Sequence, residues 1–107
     1  MAPDASPSAC LARARKIVVK VGSSLLIEPE TRMVRAGWLG SLAQDIATLR
    51  TARVTVLVVS SGAVALGWRQ LGIERSAQLD HRQAAAAVGQ SLLMNAWAQA
   101  FAPHDIS

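Results

Sequence analysis

Two short stretches carry the residues whose types and spacing could do chemistry. The first is Val18-Val19-Lys20-Val21-Gly22-Ser23-Ser24, where a lysine sits near the end of a β-branched run and a glycine and two serines follow. An ammonium is rarely buried without a partner. Lys20 therefore either snorkels to water from a strand end or projects from the carboxyl end of a strand toward a ligand anion. Gly22 lets the backbone turn and approach a ligand closely, with freed N–H groups beside the charge. Lys20 could then neutralise a transferring phosphoryl group. The second stretch is Val58-Val59-Ser60-Ser61-Gly62-Ala63. Serine hydroxyls and free N–H groups at a helix start suit a carboxylate or phosphate; they suit a plain helix cap equally well.

Other chemistries lack their residues. A Walker A loop places its lysine after the second glycine and before Ser or Thr, which Lys20-Val21-Gly22 does not. The Gly-x-Gly-x-x-Gly dinucleotide fingerprint is absent from the sequence. A serine nucleophile at a strand-to-helix elbow needs Gly-x-Ser-x-Gly, but Val59 and Val58 stand where the first glycine would precede Ser61 and Ser60. Cys10 is the only cysteine, so neither an internal disulfide nor a cysteine metal cluster is possible. His81 and His104 have no Asp, Glu or Cys partners at metal-ligand spacing and read as surface histidines.

The elements that must position these residues follow from hydrophobic period. Lys16 to Val21 and Val54 to Val59 read as strands, the second so continuously apolar that cover on both sheet faces is expected. Leu25 to Arg32, with Glu28-Pro29-Glu30-Thr31, reads as a loop. A helix is expected from Thr31 or Met33, carrying Trp38, Leu39, Leu42, Ile46 and Leu49 on one stripe, with Gly37 and Gly40 as possible points of close approach to the sheet. A short helix spans Ala63 to Leu71 and stops at Gly72. A polar connector, Arg75 to Leu79, leads to Asp80 as the cap of a long helix, His81 to Phe101, whose stripe runs through Ala84–Ala87, Val88, Leu92, Leu93, Trp97 and Phe101. Gly89 in its middle would allow close packing. Two strands joined through a helix make a parallel crossover. The class is α/β, a parallel sheet covered by helices.

The chain has 107 residues, enough for one small domain, and 51% are apolar, enough for a core. Residues 1–14, rich in Ala, Pro and Ser, read as a flexible leader without the apolar region of a secretory signal. Residues 15–107 form the domain. Two parallel strands make a poor isolated sheet, so these residues are expected to be the amino-terminal part of a larger domain. The net charge of +4 owes much to Arg13, Arg15 and Lys16, and the sequence has no Tyr and one Phe. A nucleic-acid binder would concentrate basic residues with interleaved aromatics; no nucleic-acid partner is expected for this part. No apolar run is long enough to span a membrane, and a reduced, cytoplasmic setting fits the lone cysteine.

Three stretches in order, Val-Val-Lys-Val-Gly-Ser-Ser, Val-Val-Ser-Ser-Gly-Ala-Val-Ala-Leu-Gly and Arg-Gln-Ala-Ala-Ala-Ala-Val-Gly-Gln-Ser-Leu-Leu, together resemble the γ-glutamyl kinase branch of the amino acid kinase family. The resemblance covers about Arg15 to Ser107. It implies the amino acid kinase fold, amino-terminal part only, and phosphorylation of the L-glutamate γ-carboxylate by ATP with Mg²⁺, the first step of proline biosynthesis. It implies that Lys20 is catalytic, that Lys20, Gly22 and Ser23 face the ATP phosphates, and that Ser61 and Gly62 bind glutamate. The family's further Asp and Asn ligands and its nucleotide-binding half have no counterpart before Ser107, so the segment alone is expected to be inactive. The full-length protein is expected to be a homo-oligomer. Another amino acid kinase, the kinase half of a bifunctional pyrroline-carboxylate synthase, and a non-catalytic amino-acid- or anion-binding module are the alternatives.

Overall fold

The computed structural model describes residues 5–74 and 78–107. Among them the order is α1 (Pro7–Arg13), β1 (Lys16–Val21), α2 (Ser23–Leu26), α3 (Ala36–Thr51), β2 (Thr55–Ser60), α4 (Ala63–Leu71), α5 (Leu79–Phe101) and a 3₁₀ turn at Ala102–His104. The strands pair in parallel, with Lys16 opposite Thr55 and Val21 opposite Ser60. As the sequence pattern implies, the architecture is α/β, with α3 between the two parallel strands. No helix among the described residues is long and apolar enough to cross a membrane.

Alternation along the strands decides what is buried. Ile17, Val19 and Val21 of β1 and Val56, Val58 and Ser60 of β2 turn toward the helices, and all are partly or fully buried. The core there joins Val21 to Leu26 and Ile27, to Leu39 and Ile46 of α3, to Leu66 of α4, and to Leu93 and Trp97 of α5. The other sheet face is bare: Val18 is 66% exposed, Leu57 60% and Val59 47%. The cover on both faces that β2's composition suggests is therefore supplied on one face only within the described residues. Lys16 and Lys20 lie at alternating positions on the bare face.

Local backbone bonding accounts for the boundaries that differ from expectation. β2 begins at Thr55, because the Val54 N–H bonds back to the Leu49 carbonyl at 3.0 Å and Arg53 takes a positive φ of 64°. α3 begins at Ala36, after a small hairpin that occupies the residues expected to open the helix. Ile27 and Val34 form an antiparallel bridge, the Glu28 N–H donates to the Met33 carbonyl at 2.8 Å, and the Arg32 N–H donates to the Glu28 carbonyl at 2.7 Å. α5 starts at Leu79 behind Gln78, so Asp80 lies in the first turn, where its charge favours the helix dipole, and is not the cap. The first part of the expected connector, residues 75–77, lies outside the described residues. Where a loose leader is expected, α1 forms behind a Ser6 hydroxyl cap, with no buried residue.

The closest helix packing is between α4 and α5, and glycines permit it. A Cβ on Gly67 would collide with the Ala85 carbonyl, and one on Gly89 with the Ala63 carbonyl. Gly37 and Gly40 have nothing within 4 Å of an added Cβ, so they are not the points of close approach. Backbone atoms cannot yield as a flexible side chain does. Gly89→Ala is expected to cost about 3 kcal/mol or more through overpacking, and Gly37→Ala to be neutral or stabilising through helix propensity. Urea unfolding of the two variants checks the contrast.

Candidate functional site

Parallel pairing brings the carboxyl ends of β1 and β2 side by side, so the loops that follow them meet. The Val21 carbonyl accepts from the Ser61 N–H at 3.0 Å and from the Ser61 hydroxyl at 3.3 Å. Leu26 and Ile27, both buried, carry the first loop under the second: their side chains lie 3.5 and 3.4 Å from where a Cβ would stand on Gly62. Gly62 has φ 118°, a conformation that L side chains rarely adopt.

Gly62 itself is the N-cap of α4, with no side-chain cap bond. The plain-cap reading of the serines therefore does not describe their use. The Ser60 hydroxyl donates to the Ser61 carbonyl at 3.1 Å and accepts from the Trp97 indole Nε1–H at 3.1 Å. The first N–H groups of α4 have no intrahelical partner, as in any helix, and the residues that carry them, Ala63, Val64 and Ala65, line a cleft.

That cleft, about 1030 Å³, is lined by Ser23 and Ser24 from one loop, by Ser61, Gly62 and Ala63 from the other, and by Trp68, Glu28, Arg32 and Arg82 around them. Glu28 pairs with Arg35 at 3.3 Å. Among the described residues Arg32 and Arg82 have no ion-pair partner. With its serine hydroxyls and helix-start N–H groups, the cleft favours anions.

Of the residues singled out from the sequence, the cleft unites Ser23 with Ser61 and Gly62. Gly22 caps α2 next to it and has nothing within 4 Å of an added Cβ, which leaves room for close approach. Lys20 is not on the cleft wall: it is exposed, opposite Val59, on the helix-free sheet face. It has no acidic partner among the described residues. Arg32 and Arg82 are the residues that pattern reading misses. Arg32 reaches the cleft through the left-handed turn of the hairpin, and Arg82 through the register that the Gly67 and Gly89 contacts impose on α5. Neither signal is local. Among the described residues no three His, Cys, Asp or Glu side chains gather as a metal site.

Comparison with known proteins identifies the family. The amino acid kinase family matches residues 15–107. The chain is 57% identical to a glutamate 5-kinase of Caulobacter vibrioides over 94 residues, 87% of this chain and 25% of that protein. It is 50% identical to a glutamate 5-kinase of Paramagnetospirillum magneticum over 97 residues, 91% and 26% of the two chains. For a glutamate 5-kinase of Gluconobacter oxydans the identity is 45% over 106 residues, 98% and 28%. The chain thus spans about a quarter of the length of the curated relatives it matches. With one family covering every strand and all but the first helix, and with both strand-end loops meeting at one anion-favouring cleft, the chain belongs to the amino acid kinase family.

Proposed function

We propose that the full-length protein carrying this segment transfers the γ-phosphoryl group of ATP to the γ-carboxylate of L-glutamate, giving γ-glutamyl phosphate for proline biosynthesis. The observation that carries the reading is the shared cleft, where Ser23 of the β1 loop and Ser61 and Gly62 of the β2 loop line one wall. The names of the relatives support the choice of substrates. A cytoplasmic setting and a homo-oligomeric enzyme belong to the same reading.

The chemistry assigns each loop a task. A carboxyl group with a pKa of about 4.3 is ionised at neutral pH, so no general base is needed. One carboxylate oxygen forms the new bond to phosphorus as the bond to the bridging oxygen breaks, and ADP leaves. Catalysis is then positioning and charge neutralisation. In this reading Lys20, which stands off the cleft wall near the carboxyl end of β1, serves as the catalytic cation on the ATP phosphates, while Gly22 and Ser23 offer close backbone approach and N–H donors. Ser61 and Gly62 hold glutamate, with Arg32 and Arg82 supplying positive charge to a ligand with two carboxylates. Mg²⁺ belongs to the same reading; when bound it would neutralise charge on the nucleotide phosphates.

Three outcomes test the reading. In the full-length protein, Lys20→Ala is expected to lower glutamate-dependent ADP release by at least about a hundredfold, the scale of lost electrostatic stabilisation; a loss below about tenfold removes Lys20 from the phosphoryl-stabilising role. Ser61→Ala is expected to raise the glutamate KM with the ATP KM little changed, and a selective loss of ATP affinity reverses the assignment of the two loops. Residues 1–107 alone are expected to release no ADP above background in a coupled assay.

A further inference from the structure

The cleft wall is supported from behind by a residue that does not touch it. Trp97 of α5 is buried, 6% exposed, and its ring stacks on Phe101 with centroids 5.6 Å apart. Its single polar atom, the indole Nε1–H, donates to the Ser60 hydroxyl at 3.1 Å. Ser60 is the last residue of β2 and occupies an inward position that Val56 and Val58 fill earlier in the strand. A polar residue ending that apolar face matches the one donor of the indole. Because the indole N–H occupies the Ser60 oxygen as donor, the Ser60 proton is directed elsewhere, and it goes to the Ser61 carbonyl at 3.1 Å.

The Ser61 backbone is therefore held at both ends. Its N–H is fixed by the Val21 carbonyl, and its carbonyl by the Ser60 hydroxyl that Trp97 orients. The Ser61–Gly62 peptide plane decides how the chain enters the positive φ of Gly62, and with it where the first N–H groups of α4 point. We propose that Trp97 is a positioning residue for the glutamate-binding loop, acting through Ser60 on the Ser61 peptide. The inference rests on the assignment of Ser61 and Gly62 to glutamate. It adds that affinity for the amino acid is set partly by a helix far along the chain from either loop.

Two variants remove the bond from opposite ends, both studied in the full-length protein. Trp97→Phe keeps an aromatic ring and loses the donor; Ser60→Ala loses the acceptor and, with it, the hydroxyl's own bond to the Ser61 carbonyl. Each is expected to raise the glutamate KM about five- to tenfold, the worth of one hydrogen bond, with the ATP KM within about twofold. The double variant is expected to lose no more than the larger single loss, because both act through one bond. Ser60→Thr, which keeps a hydroxyl, is expected to fall closer to the parent than Ser60→Ala. Hydrogen exchange gives a readout independent of turnover. Peptides covering residues 58–63 are expected to exchange faster in both variants, while peptides covering residues 42–49 of α3 do not. An unchanged glutamate KM and unchanged exchange in Ser60→Ala would overturn the proposal, as would a proportional rise in exchange across both regions or equal rises in both KM values. If the parent releases no ADP with glutamate yet exchange rises selectively at 58–63, the substrate assignment fails and the positioning role stands.

Discussion

The carbonyl of Val21 is the point on which the arrangement turns. It ends β1, it lies in the last register pair of a parallel ladder, and it accepts twice from Ser61. Had the strands been antiparallel, the two loops would lie at opposite ends of the sheet. Parallel pairing demands a crossover, which α3 provides, and gathers ligand loops at the carboxyl edge. The cleft is thus a product of topology before it is a product of any side chain.

A second constraint acts on top of the first. α4 follows directly from the Ser61–Gly62 turn, and α5 is locked to α4 through glycines whose missing side chains let backbones touch. That lock fixes where Arg82 and Trp97 fall relative to the β2 loop. One contributes charge to the cleft and the other a hydrogen bond behind it, and both depend on the same register between two helices. α3 plays a different part: it packs Leu39 and Ile46 on the core without shaping the cleft wall.

Much of this is legible in the sequence. Lys16–Val21 forms as its β-branched run implies, Gly72 ends α4 in the left-handed conformation, and the stripe on the last helix narrows to Ala85, Gly89, Leu93 and Trp97 at its buried centre. Gly89 is recognisable as a contact glycine from its place in the middle of that apolar helix. Its counterpart Gly67 is not, because a glycine in a short helix reads first as a propensity defect; Gly37 and Gly40, which the sequence offers as points of close approach, have open space where a Cβ would stand. The start of α3 is missed because a hairpin bridge, a pairing of non-adjacent residues, competes for the backbone groups. Lys20 stands out in the sequence, yet only the alternation of β1 places it on the sheet face away from the helices.

That placement has an electrostatic corollary. Val18, Leu57 and Val59 surround the position of Lys20 with greasy surface that water now wets. Any layer laid over them would strip solvent from the neighbourhood of the ammonium, and a charge acts over a longer reach as the effective dielectric around it falls. Closing the bare face and sharpening the field of Lys20 are therefore one event, so the strength of this cation depends on how completely its sheet is clothed.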